Sequence, residues 1–463
     1  MPEAEALRDD TRTFELDFQA LDDGFLVGAA MEQAKAAPSR LTASDVLSLA
    51  ELGEHRRCGH AQSEAEAVRI GAILYGRIFS GDVQSLFLEA RAAARERQVP
   101  LRILLTFPPA SAIQELPWEL LHDGTRFLAL DCATPIVRHI RQREAAPGLA
   151  VEPPLRVLFT AAQPAGMYGG KLALDEELAL LRDAVKVGGR IHLEVAAGRA
   201  AGPPLSRVRL QQIFQHARAR GRPFHLWHHA GHGSLIHGPD GQEFFLVLEK
   251  EDGGPDPVPA SDLSPWIAGG RDLKVAVLNL CFGGSTLGLS THLAGLNVPA
   301  VVGFQGAVLD AAALEFTRTF YTGLASLPLD LSLTYARQAM TCRKWPLQWA
   351  LPVLFCRLRG SLDLVASAPR EEWRRHLVPG RTTFDNGKIR AKRVFQIGWA
   401  GEEGFEPGQG MNVDFQNQEI DTEEIFQAGG VAVSSADRAD FRKRFSDLQL
   451  AMSRQPVEGQ EEP

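Results

Sequence analysis

The chain has 463 residues, 45% of them hydrophobic and 23% charged, with a formal net charge of −8 and a pI near 5.9. That is the make-up of a soluble globular protein long enough for two or three domains, and its acidic balance argues against direct electrostatic binding to nucleic acid or acidic lipid. There is no apolar run near twenty residues and no basic-then-apolar leader, so neither a membrane span nor a signal peptide is expected. Five scattered cysteines with no CxxC pair argue against a disulfide framework and point to a reducing, cytoplasmic setting.

In chain order, residues 1–10 form an acidic lead. "TFELDF" and "GFLVGA" alternate as strands do, and "TASDVLSLAELGEHRR" and "VQSLFLEARAAARERQ" carry helical spacing. "LRILLTF" reads as a buried strand and "LPWELLHD" as a short helical turn behind a proline. The segment "REAAPGLAVEPPL", rich in proline, glycine and alanine, marks a boundary, so residues 1–146 are expected to form an N-terminal α/β part.

From Leu155 apolar runs alternate with helices. "LRVLFTAA", "RIHLEVAA", "FHLWHHA", "EFFLVLE", "DLKVAVLNL" and "PAVVGF" read as strands; "LDEELALLRDAV", "LSRVRLQQIFQHARAR" and "DAAALEFTRTFYTGLA" read as helices. This alternation predicts a mostly parallel sheet flanked by helices over 147–368, with reacting groups gathered beyond the carboxyl ends of its strands. Residues 369–463 are polar and glycine-rich. They read as a partly flexible regulatory or partner-binding extension with a final amphipathic helix, "ADRADFRKRFSDLQLAMS". No internal repeat of twenty to fifty residues is evident, so a solenoid is not expected. The basic run "GKIRAKRV" reads as a solvated strand.

The stretch "FHLWHHAGHGSLIHG" holds five of the thirteen histidines. No HExxH pattern and no acidic or cysteine ligand at a customary spacing accompanies them, so no metal is expected. His225, His228 and His229 read as strand residues, His225 and His229 facing one side and His228 the other. His237 reads as part of the following loop. His232 lies between two glycines just past the strand, on a turn that suits a general base. Forty-nine residues later, "VAVLNLCFGGST" ends a second buried strand at Cys281. A thiolate is a nucleophile and a neighbouring histidine can take its proton. A cysteine and a histidine at neighbouring strand ends, histidine first and about fifty residues apart, is the arrangement of caspase-type proteases. The amides of Gly233 and Cys281 are the candidate oxyanion donors.

"FHLWHHAGHGSL" followed by "VAVLNLCFGGST" resembles the CHAT proteases, bacterial and eukaryotic relatives of caspases and separase. "LRILLTF", "LPWELLHDGTRFLALDCATPIVRHI", "LDEELALL" and "VPAVVGFQGAVLDAAALEFTRTFYTGLA" share the pattern, so the resemblance runs from about Phe14 to Leu364. It implies a caspase-like α/β fold, with 1–146 as a protease-like half lacking the dyad and 147–368 as the catalytic half. It implies a cysteine endopeptidase with His232 as base, Cys281 as nucleophile and no cofactor. It also implies a protein substrate, an activating or sensor partner, and a regulated role in bacterial defence, stress or cell death. In such folds the residue two before the cysteine, here Asn279, helps line the primary pocket. Asp310 is either the acidic residue that receives a basic side chain or a helix N-cap; Asp262 reads as a cap or loop residue. The alternative reading is a CHAT-fold scaffold that binds a partner without turnover.

Overall fold

The computed structural model describes residues 11–48, 63–108, 111–142, 146–166, 172–186, 190–197, 203–238, 241–268, 271–285, 289–324, 326–341, 347–365, 382–390, 393–397, 400–402, 413–421, 424–428 and 431–433. The predicted final helix and the acidic lead lie outside these residues. The chain divides into two units, Met1–Arg370 and Glu371–Pro463.

The first unit is built on one large sheet. Its strands from the N-terminal part are β1 (Arg12–Leu21), β2 (Gly24–Met31), β3 (Ala34–Lys35), β4 (Ser39–Thr42), β5 (Leu101–Thr106) and β6 (Ile136–His139). Those from the later part are β7 (Leu155–Ala161), β8 (Ile191–Ala197), β9 (Leu226–Ala230), β13 (Val275–Asn279), β14 (Ala300–Phe304) and β15 (Pro352–Cys356). The order is β3-β2-β1-β5-β6-β15-β14-β13-β9-β7-β8, with β4 beside β2. Pairing is parallel from β1 through β5, β6 and β15, and again from β14 through β13, β9, β7 and β8. Only the N-terminal meander and the β14–β15 pair are antiparallel. The two parts share one sheet because β15, near the end of the unit, pairs with β6 from its beginning.

Parallel strands buried on both faces need apolar residues throughout, and β9, β13, β14 and β15 are buried at every position. Alternate residues serve opposite faces. Val275 and Val277 join Leu178, Leu181, Phe316 and Phe320 in a cluster that runs back to Phe14, Ile103 and Trp118. Ala276 and Leu278 join Leu210, Phe214, Leu263 and Leu293. The helices that cover these faces are α1 (Glu64–Ile78), α2 (Gly81–Glu96), α3 (Leu174–Lys186), α4 (Arg207–Ala219), α5 (Ala260–Ala268), α6 (Leu289–Gly295), α7 (Asp310–Leu324) and α8 (Leu329–Thr341). Helix α1 was not among the elements expected. Its stripe of Ala67, Ile70, Leu74 and Ile78 is buried, and Ser63 caps it by accepting from the Glu66 amide.

One expected strand belongs elsewhere. "EFFLVLE" is the core of β11 (Gly241–Glu249), the centre of a separate antiparallel sheet with β10 (His232–Gly238) and β12 (Pro255–Pro259). His232 is therefore not on a free turn, and His237 is not in a loop. Gly231 alone separates β9 from β10, and His232 opens β10 opposite Val247.

The second unit overturns the expectation that the chain has no repeat. Strands β16 (Thr382–Arg390), β17 (Arg393–Ile397) and β18 (Ala400–Glu402) pair in parallel with β19 (Val413–Asp421), β20 (Glu424–Ala428) and β21 (Val431–Val433). Each residue pairs with the one 31 positions later: Thr382 with Val413, Arg393 with Glu424, Ala400 with Val431. Three strand pairs at one fixed offset are two rungs of a solenoid. "GKIRAKRV" supplies strand residues, as expected, in the first rung.

Candidate active site

The carboxyl ends of β9 and β13 lie side by side, and the backbone brings their extensions into contact. The Gly231 amide donates to the Asn279 carbonyl at 3.2 Å. Two residues on, a Cβ placed on Gly233 would stand 2.4 Å from the Cys281 carbonyl oxygen and 2.6 Å from a Leu280 methyl. Only glycine fits there. A Cβ on Gly231 would meet the His229 imidazole at 2.9 Å. The two glycines flanking His232 are thus explained by close approach, to His229 on one side and to the chain of Cys281 on the other.

Cys281 stands two residues past the last of β13 and is partly buried. Burial pushes its thiol pKa up, while the amides of Val308 and of Cys281 itself, donating to the sulfur, pull it down; the net shift is upward. The next residue, Phe282, takes φ of 60°, a left-handed conformation unusual for a non-glycine residue. Its amide donates to the Gly306 carbonyl at 3.2 Å, and the Gly284 amide donates to that of Phe304 at 2.9 Å. The turn after the cysteine is therefore held against the loop that follows β14.

His232 is also partly buried, and its Nε2 is shielded from solvent with no hydrogen-bond partner. Burial lowers the imidazole pKa, and the Asp310 carboxylate opposes this by raising it. Asp310 is exposed and accepts from the Ala173 amide at 3.0 Å. It is not the N-cap. The Leu309 carbonyl accepts from the amide of Ala313, so Leu309 caps α7 and Asp310 is its first helical residue. Asp262 lies in the first turn of α5, 3.6 Å from the Arg207 guanidinium.

Asn279 is buried, and its amide nitrogen donates to Glu177 and lies 3.5 Å from the Thr317 hydroxyl. Glu177 also accepts from Thr317 at 2.9 Å and meets His228 Nε2 at 2.9 Å. His228 Nδ1 is 2.8 Å from the Tyr321 hydroxyl, whose pKa burial and the Glu177 charge push well above its ordinary value. Tyr321 therefore donates to Nδ1, and His228 donates from Nε2 to Glu177. This network ties the end of β13 to α3 and α7. His229 contacts Thr160 at 2.8 Å, and burial drops its pKa to about 3. His225 accepts from the Arg156 amide at 3.1 Å. Each strand histidine thus has a partner on Nδ1, although His229 Nε2, like that of His232, is buried without one. Among the described residues, no group of three or more His, Cys, Asp or Glu side chains is arranged to hold a metal.

Glu177 was missed in the sequence, yet it left a signal. It falls on the same stripe as Leu178, Leu181 and Val185, an acidic residue on an apolar helix face. The loop after β14 is anchored by side chains far from it in sequence. Gln305, at its start, accepts from Arg138 at 3.0 Å and donates to Glu119 at 2.9 Å and to the Ala350 carbonyl at 2.7 Å. Glu119 and Arg138 form a buried pair at 2.6 Å. At the loop's other end, the Leu309 amide donates to Gln348 at 2.9 Å. The segment whose Val308 amide reaches the Cys281 sulfur is therefore pinned at both ends, at the first by residues of the N-terminal part.

No curated protein matches the sequence. Among solved structures, two crystal structures of the Saccharomyces cerevisiae separase–securin complex, at 3.0 and 2.6 Å, match over 75% of this chain and 30% of theirs, at 10% identity and TM-scores of 0.43 and 0.41. The chain thus spans under a third of those separase chains. Among the described residues, no helix is long and apolar enough to cross a membrane. The model of the CHAT domain family matches residues 71–357, which takes in the ends of β9 and β13 and most of the large sheet: the chain belongs to the CHAT-domain family.

Proposed function

We propose that this protein is a caspase-like cysteine endopeptidase with Cys281 as nucleophile and His232 as base. The observation that carries the reading is the buried, unpartnered Nε2 of His232 on a strand end in backbone contact with that of Cys281. His229 Nε2 is likewise shielded without a partner; what separates His232 is that it is only partly buried and stands where its chain meets that of Cys281. Thiol pKa raised and imidazole pKa lowered leave both groups neutral near pH 7. The nucleophile then forms on demand. His232 takes the thiol proton as sulfur bonds to the carbonyl carbon, and the C=O electron pair becomes an oxyanion. The amides of Gly233 and Cys281 are our oxyanion donors. As the tetrahedral species collapses, the C–N bond breaks and the imidazolium protonates the leaving amine. Water, deprotonated by His232, then cleaves the thioester and restores the thiol.

Asp310 is our candidate for recognising a basic substrate side chain. Asn279 contributes to the pocket through the backbone it positions, since its amide is committed to Glu177. Family membership supports a regulated role, in defence, stress or cell death, with a protein substrate and an activating protein partner in a reducing cytoplasm; the buried free thiols of Cys132 and Cys356 suit that compartment. The test is labelling by a mild electrophile such as iodoacetamide. Wild-type protein is expected to label at Cys281 at least tenfold faster than His232→Ala protein, and Cys281→Ala protein to cut no partner. Equal labelling in the presence and absence of His232 favours the scaffold reading instead.

A further inference from the structure

The two rungs of the second unit carry opposite charge in register. Lys388 stands opposite Glu419, Arg390 opposite Asp421 and Arg393 opposite Glu424. Between these positions the rungs repeat one another: Phe384 pairs with Phe415, Asn386 with Asn417, Ile389 with Ile420, Phe395 with Phe426 and Gln396 with Gln427. In a parallel in-register ladder, like residues stack on like and equal charges repel. Asp414 stands opposite Thr383, Asp385 opposite Gln416 and Glu402 opposite Val433, so not every charge is matched; at the three positions where charge meets charge the signs are opposite, which favours pairing at this register.

The same arithmetic applies one step beyond the chain. Each of the three sheets has only two strands, so among the described residues the outer edge of every strand lacks a neighbour. Open strand edges template further strands. The second rung carries acidic residues at three register positions, and the first rung of another copy carries basic residues at the same three. A second copy of this chain, added in the same direction, continues both the repeat and the alternation of charge. A copy added in the reverse stacking order sets acid on acid.

We propose that residues 382–433 are a self-assembly module through which copies of this chain stack head to tail, the first rung of one on the second rung of the next. Each chain then adds two rungs, a rise of about 9.5 Å along the stack. The inference goes beyond the peptidase reading and does not depend on it; where both hold, stacking gathers catalytic units along one axis.

The test uses the full chain carrying Cys281→Ala, so that turnover plays no part and failure of the peptidase reading leaves the outcome untouched. The chain is expected to form linear assemblies at tens of micromolar, with a repeat of about 9.5 Å per chain by electron microscopy. Making the first rung acidic (Lys388→Glu, Arg390→Glu, Arg393→Glu) is expected to abolish assembly, and adding Glu419→Lys, Asp421→Arg and Glu424→Arg to restore it. The charge-exchanged chain and the original, labelled with different dyes and mixed, are expected to sort into separate stacks, because a junction between them sets like charges together. A monomeric full chain overturns the proposal, and so do assemblies that ignore the charge reversal or mix freely.

Discussion

The sulfur of Cys281 and the imidazole of His232 both resist charge: burial raises the thiol pKa above its ordinary 9.0 and lowers the imidazole pKa below 6.5. A preformed thiolate–imidazolium pair needs the reverse order. Alkylation of Cys281 is therefore expected to climb steadily through pH 7 to 9, without the flat acidic plateau of an ion pair; a plateau extending below pH 6 contradicts the assignment. Asp310 supplies the second half of the argument. Its charge favours the imidazolium, so Asp310→Asn is expected to lower the His232 pKa and move the acid limb of the activity profile to lower pH. Asparagine keeps an oxygen to accept from Ala173, so the loop contact survives. A limb that stays put shows that Asp310 acts only on substrate, which a raised KM for basic peptides reads separately. At this scale the approach of the chain around His232 to that of Cys281 was legible, because glycines and a strand end are local signals. The Glu177 network was not. Its partners lie 51 to 140 residues away from Glu177, and nothing near Asn279 announces that its amide is spoken for.

Elements set where those residues stand. The loop after β14 is positioned by Gln305, whose side chain reads both members of the buried Glu119–Arg138 pair. Gln305→Glu places two carboxylates together beside one shared guanidinium, with Arg337 3.9 Å from Glu119. Disturbing such a buried pair costs roughly 3–5 kcal/mol when a charge is left uncompensated. The expected result is a lower melting temperature and slower alkylation of Cys281, because the loop that brings the Val308 amide to its sulfur loses its anchor. Glu119→Gln combined with Gln305→Glu exchanges the two groups, restores a donor facing an acceptor and keeps the charge around Arg138. It is expected to recover the alkylation rate at least in part; a double variant no better than Gln305→Glu removes the positioning role. Strand and helix identities in this unit were largely readable, since parallel strands buried on both faces are long apolar runs. The β10–β11 hairpin was not, because "GHG" carries the composition of a turn while its glycines serve close packing.

For the whole molecule, two boundaries suggested by composition behave differently. The proline-rich stretch near residue 146 separates sequence segments yet not sheets: β15 pairs with β6, and one apolar cluster runs from Phe14 to Val302. Composition records local chain stiffness, whereas a sheet seam is a long-range pairing with no local mark. The repeat beyond residue 371 is hidden in the sequence for a related reason. Its rungs match in strand positions while inverting charge, so a search for identity sees "KIR" and "EID" as unrelated, although register makes them partners. The consequence is a sharp contrast between two truncations. A chain ending at Arg370 retains every strand of the large sheet and its covering helices. It is expected to melt cooperatively within a few degrees of the full chain's first transition and to label at Cys281 at an unchanged rate. A chain of residues 147–368 alone leaves the β15 edge without β6, exposes Leu354 and Cys356, and strips Gln305 of Glu119 and Arg138. Unpaired edge and apolar face together favour aggregation. It is expected to lack a cooperative transition by calorimetry, and a soluble 147–368 fragment with full Cys281 reactivity shows instead that the N-terminal part is dispensable to the site.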